Sequence, residues 1–196
     1  RIHGDEHPST LSSINNMGTL MEKQGNYAGA EPLYREAMTV NRRVFGNEHP
    51  STLTAIHNLG NLLEKRGNYT EAEQYIREAL EGRRRVHGDE HPNTLSSINS
   101  MGVLARKQGE FTAAEPYFRE ALETRRRVLG NEHPRTLHSI SNMGSLLIEQ
   151  GAHAEGEPYY REVLEVLRRV RGNDHPDTLN SIRNMGRLLV DQGNYA

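Results

Sequence analysis

The feature that most constrains this chain is a phrase that returns on a fixed step. The stretch HGDEHPSTL at residues 3–11 recurs as FGNEHPSTL, HGDEHPNTL, LGNEHPRTL and RGNDHPDTL. The His-Pro pairs begin at His7, His49, His91, His133 and His175, each 42 residues after the last. Residues 3–44 and 45–86 share 24 identities in 42. A period of this length marks an array of units, each too small to bury its own apolar face and therefore stacked on its neighbours. The units run 3–44, 45–86, 87–128 and 129–170, with a partial unit at 171–196, so residues 1–196 read as a single array.

Each unit reads as two helices. In the first, Leu11, Ile14, Met17, Gly18 and Met21 recur at three- and four-residue steps, an apolar stripe that Gly25 ends in a left-handed cap. A second stripe takes Ala30, Leu33, Tyr34, Ala37, Met38 and Val44 and stops at Gly46. Thr70 with Glu73, and Thr112 with Glu115, read as capping boxes that open second helices. Pro32, Pro116 and Pro158 read as first-turn prolines. Period-two alternation is absent, so no sheet is expected, and each helix should run about 16–18 residues. Gly18, Gly60, Gly102, Gly144 and Gly186 sit mid-helix, where glycine costs about 1 kcal/mol against alanine. Close approach of the paired helix is the simplest compensation.

His3, Glu6 and His7 carry the H-x-x-E-H spacing of a class of zinc peptidases. That chemistry needs its residues on one helix, whereas the intervening glycine and the following proline put these in a turn. Only His87 repeats the first histidine; Phe45, Leu129 and Arg171 replace it elsewhere. Histidines of adjacent units should lie about 10 Å apart or more, while the ligands of one zinc sit about 2 Å from it. The loop reads better as punctuation. Gly4 stops a helix, His7 is the N-cap and Pro8 takes the first helical position. Asp5 and Glu6 place negative charge at the positive end of the helix dipole. No metal and no cofactor is expected.

The pattern resembles the tetratricopeptide repeat (TPR) in the 42-residue form carried by the kinesin light chain family. The carrying residues are Gly18, Tyr27, Ala30, Tyr34 and Ala37, which return as Gly60, Tyr69, Ala72, Ile76 and Ala79, and again as Gly102, Phe111, Ala114, Phe118 and Ala121. The fourth unit departs, with His153 for the aromatic, Gly156 for the alanine and Val163 for the second alanine; its second helix is expected to be looser or shifted. The resemblance implies an all-α, right-handed superhelical solenoid of antiparallel helix pairs, four and a half repeats long. It also implies a concave groove lined by the first helix of each pair, and a protein or peptide partner.

The off-stripe residues of the first helices are the candidate contacts. Asn16, Asn58, Asn142 and Asn184 share one register, with Ser100 in the third unit. One residue earlier come Asn15, His57, Asn99, Ser141 and Arg183; one turn earlier still, Asn180 and His138; three residues later, Asn61 and Arg187. Asparagine is a poor helix former, up to about 0.7 kcal/mol below alanine. Its recurrence points to hydrogen bonding, either to the main chain of an extended peptide or between neighbouring repeats. Lys23, Lys65, Lys107 and Arg106 add positive charge, although Glu149 and Asp191 replace the lysine in later units. A carboxylate clamp is not supported; an extended, partly acidic peptide is expected.

Other classes are disfavoured. Net charge is −2, from 24 Lys plus Arg against 26 Asp plus Glu, so no global field favours nucleic acid or an anionic membrane. The arginine runs at residues 83–85 and 125–127 read as solvated helix ends paired with Glu81 and Glu123 one turn back. Cysteine is absent, as are G-x-S-x-G and any phosphate-cradling glycine loop, so no enzyme is expected. Recurrent Glu31, Glu36, Glu73 and Glu78 read as surface charge. No apolar run reaches the roughly 18 residues of a membrane span, and a cytoplasmic setting is expected. The chain opens on Arg1 rather than Met and reads as a fragment, for which end-to-end self-association or a sensor arm on a signalling or motor protein are alternatives.

Overall fold

The computed structural model describes residues 4, 6–191 and 193; His3 and Asp5 of the sequence argument lie outside them, as does the side chain of Asp191. Among the described residues there are nine helices and no strand. They run α1 (Pro8–Lys23), α2 (Tyr27–Phe45), α3 (Pro50–Lys65), α4 (Tyr69–His87), α5 (Pro92–Lys107), α6 (Phe111–Leu129), α7 (Pro134–Glu149), α8 (His153–Arg171) and α9 (Pro176–Asp191). Contacts divide the chain into two compact units, Arg1–Leu104 and Ala105–Ala196. In the first, α1 packs on α2, α2 on α3 and α3 on α4; in the second, α6 packs on α7, α7 on α8 and α8 on α9.

The punctuation follows the sequence closely. His7, His49 and His133 are N-caps in extended conformation, each with Nδ1 accepting the N–H two residues on, and Pro8, Pro50 and Pro134 open the helices. His91 and His175 accept in the same way, from Asn93 and Asp177 at 3.1 Å. The residue before each stop can stack on the cap: Phe45 lies 4.6 Å from His49 and His87 lies 4.3 Å from His91, ring centre to ring centre. The first helices α1, α3, α5 and α7 end in a Schellman cap. Gly25 has φ +76°, with the Asn26 N–H reaching the Met21 carbonyl at 2.9 Å. Second helices stop at Gly46, Gly88, Gly130 and Gly172, with φ near +80° and ψ near 170°, backbone that essentially only glycine adopts.

The second helices start earlier than expected. Asn68 and Glu110 are the N-caps of α4 and α6, so Thr70 and Thr112 lie inside the first turn rather than forming capping boxes. The same shift carries Pro32, Pro116 and Pro158 beyond the first turn, into the helix body on its exposed side. Lengths are 16 residues for α1 and 19 for α2, and the alternation persists through α9.

Packing explains the glycines. A Cβ on Gly60 would lie 2.7 Å from Ile76 Cγ1 and 3.1 Å from the Ile76 nitrogen, so α3 and α4 touch almost backbone to backbone. Leu53 meets Gly82 at the other end of the pair, which makes the helices antiparallel. In α1, Gly18 receives the Tyr34 ring in the same way. Around these contacts Leu53, Ile56, Leu59, Leu63, Ile76 and Ala79 are at most 2% exposed. At roughly 25 cal/mol per Å², such burial is the main stabilising term.

Candidate functional site

The asparagine register is partly consumed inside the array. Asn58 Nδ2 donates to Asn15 Oδ1 at 3.1 Å, a bridge from α3 to α1. His57 is buried, with Nδ1 3.3 Å from Ser97 Oγ and Nε2 3.0 Å from Asn61 Nδ2. Asn99 is buried as well. Burial and the neighbouring Arg83 cation push the His57 pKa down to about 3, so its imidazole is neutral. Two of the positive charges are matched: Lys65 Nζ is 2.6 Å from Glu22, and Arg106 is 2.5 Å from Glu149.

Elsewhere the register is open. Asn16 on α1 is exposed, and so are Asn180, Arg183, Asn184 and Arg187 on α9 and His138 on α7. Ser100 and Asn142 are half-buried. Burial and the Arg125 cation lower the His138 pKa, although the residue as a whole remains exposed. Thus α9 presents four of the expected contacts together, whereas Asn15, His57, Asn58 and Asn61 bond to each other or to the next helix.

The arginine runs are not all solvated. Arg83 and Arg125, the first of each run, are 3% and 4% exposed. Arg83 Nη1 donates to the Asn93 carbonyl at 3.0 Å and to Ser97 Oγ at 2.8 Å. Arg125 Nη1 repeats this with the Arg135 carbonyl at 3.3 Å and Ser139 Oγ at 2.6 Å. Burial lowers both guanidinium pKa values to about 10, which leaves them charged at neutral pH. The outer arginines pair with the loops, not with Glu81 or Glu123: Arg85 with Glu48 at 2.7 Å, Arg84 with Asp89 at 3.0 Å, Arg169 with Glu132 at 2.9 Å. Others tie consecutive second helices, as Arg42 with Glu78 and Arg126 with Glu162, so part of the glutamate pattern is structural rather than free surface charge. The buried position was legible: Ala72, Ile76, Ala79 and Arg83 lie on one helical stripe.

That stripe position holds Asn41 in α2 and Leu167 in α8. At both places a cavity opens. Between α2 and α3 it measures about 340 Å³ and is lined by Asn41, Leu11, Asn15 and Thr54. Asn41 Nδ2 turns back to its own Ala37 carbonyl at 2.6 Å. Between α7, α8 and α9 it measures about 370 Å³. Leu137, Val163, Leu167 and Val170 form its apolar wall; His138, Ser141, Asn180 and Asn184 form its polar edge. A second hollow of about 440 Å³, with Ser145, Glu149 and Arg187, adjoins it across Tyr160 and Asn184. Despite the departures of the fourth unit, α8 keeps 19 residues. Tyr34 is buried, while Tyr160 in the same register is half-buried at the cavity edge, its hydroxyl 2.9 Å from Ser145.

Among the described residues no group of three His, Asp or Glu side chains gathers as metal ligands, and no helix is long and apolar enough to cross a membrane. A family model for the tetratricopeptide repeat matches residues 9–82, 52–127, 97–155 and 136–196. Among solved structures, the nearly identical TPR-like repeats of a Podosopora anserina protein assigned as a kinesin light chain align with a TM-score of 0.81 at 22% identity, covering 96% of this chain and 89% of that one. BtubC (BKLC) from P. vanneervenii aligns with a TM-score of 0.81 at 22% identity, covering 95% of this chain and 74% of that one. At these identities the likeness is one of fold. No curated protein gives a significant match.

Proposed function

The chain belongs to the tetratricopeptide repeat family, and on that footing we propose that it is a cytoplasmic scaffold that holds an extended peptide segment of a partner protein. The supporting observation is the α9 face. There Asn180, Asn184 and Arg187 stand exposed beside two adjoining hollows of about 370 and 440 Å³. Two amides there can each offer donors and an acceptor to a peptide main chain, while the apolar wall gives room for a side chain. The buried registers, His57 and Asn99, lie inside the array and are not contacts in this reading.

The test is a peptide array probed with the whole chain, followed by titration of a bound peptide against the Asn180→Ala, Asn184→Ala double variant. Affinity should fall about tenfold, or 1.4 kcal/mol, with an unchanged melting temperature. Undiminished affinity would remove the groove reading. A second reading, self-association, has its own observation: Leu179 and Val190 on α9 are 52% and 53% exposed. Sedimentation in which mass rises with concentration, and falls back in Leu179→Lys, would support it; a monomer throughout would end it.

A further inference from the structure

We infer that the cavity between α7, α8 and α9 is a receptor for an arginine side chain carried by the bound peptide. This deepens the groove reading and rests on it. The array itself shows what fits the slot. At Arg83 and Arg125 a guanidinium enters from the second helix and bonds a serine hydroxyl on the next first helix, together with the carbonyl four residues before that serine. In the fourth unit the side chain is gone, replaced by Leu167, but the acceptors remain. Ser181 stands in the register of Ser97 and Ser139, and the Asp177 carbonyl in that of Asn93 and Arg135. Both residues line the cavity.

A second exchange enlarges the same space. His57, which bonds Ser97 beside Arg83, is replaced by Ser141 in this register, so an arginine and a histidine have become a leucine and a serine, both shorter. The remaining walls suit an arginine. Leu137, Val163 and Val170 flank the path of the methylene stem. Asp177 and Glu132 set two carboxylates at the rim, where they now pair with Arg171 at 2.7 Å and Arg169 at 2.9 Å. These are surface pairs, weakly held and open to sharing. Lysine lacks the fork that reaches hydroxyl and carbonyl together, and an apolar side chain would cover the Ser181 hydroxyl without a partner for it. The other open slot makes the contrast. Beside Asn41 the serine register holds Ala55, so that cavity lacks the hydroxyl.

The test uses the whole chain and three blocked tripeptides, Ac-Ala-Arg-Ala-NH2 and its lysine and norleucine analogues, titrated by NMR. The arginine probe should move the Ser181 and Asn184 amides and saturate in the millimolar range, at least about tenfold tighter than either analogue. Leu167→Arg, which puts an arginine back into the slot, should abolish this binding. Ser181→Ala should weaken it several-fold without changing the melting temperature, and it decides the matter if Leu167→Arg does not fold. Arg171→Ala, by freeing Asp177, should strengthen it. Equal binding of the norleucine probe, no saturation by any probe, or shifts centred on Asn41 instead would overturn the inference. A chain that still binds a longer array-derived peptide but ignores the arginine probe refutes this receptor alone. A chain whose peptide binding survives loss of Asn180 and Asn184 refutes the groove reading alone.

Discussion

The junction of α4 with α5 and the junction of α8 with α9 occupy the same register of the repeat, yet one is filled and the other hollow. In the first, Arg83, Ser97 and His57 form a buried polar chain that runs on to the half-buried Asn61. In the second, Leu167 and Ser141 replace the arginine and the histidine, and about 370 Å³ is left open. The backbone scarcely registers the exchange, since α4 and α8 are both 19 residues long and end at matching glycines. The helix pair is thus set by caps, glycine stops and close contacts such as Gly60 on Ile76 and Gly144 on Tyr160. What fills the seam between pairs is a separate choice, made by two side chains.

If the filled junction is held as described, removing its arginine should have the largest effect. Arg83→Ala removes a donor to the Ser97 hydroxyl and to the Asn93 carbonyl and leaves a hole, and should cost about 3 kcal/mol in urea denaturation. A loss below about 1 kcal/mol would break the comparison. Next comes the close contact that both regions were built to share. Gly60→Ala forces Cβ against Ile76, including its backbone nitrogen, and should lose about 2 kcal/mol despite the better helix propensity. Gly186 in α9 has nothing within 4 Å of such a Cβ, so Gly186→Ala should gain up to about 1 kcal/mol.

The histidine of the filled junction gives a pH signature. Its pKa falls from the ordinary 6.5 to about 3 on folding, so between these values the unfolded chain binds the extra proton. Its share of stability is complete above pH 6.5 and is lost as the pH drops, by about 1.4 kcal/mol per unit. Stability-against-pH curves for the protein and for His57→Gln should diverge in that window and only there; parallel curves would deny the buried neutral state. The smallest effect is a control. His91→Ala and His175→Ala each remove an N-cap acceptor at 3.1 Å and should cost a similar amount, about 1 kcal/mol. Unequal costs would mean that the caps, and not only the seam, differ between the two junctions.

The helices were legible because their signals are local. His-Pro fixes where α1, α3 and α7 begin, and glycine fixes where α2, α4, α6 and α8 end. The starts of the second helices were less so: Asn68 and Glu110 cap them without a side-chain bond to the helix backbone, which leaves Thr70 and Thr112 as the more conspicuous but wrong signal. The candidate site was legible only in outline. One register carries both Asn58, tied to Asn15, and Asn184, exposed on α9, and no spacing rule separates them, because the difference lies in what the next helix presents. Three consecutive arginines look alike in composition. Only the stripe through Ala79 marks Arg83 as the one turned inward.

The central claim is that, of the two exchanged side chains, the one in the Arg83 register decides whether a seam between repeats is closed. A crystal structure of Leu167→Arg tests it most directly. The account predicts a guanidinium within hydrogen-bonding distance of Ser181 Oγ and the Asp177 carbonyl, with the cavity filled. An arginine turned out to solvent over an unchanged cavity would contradict it.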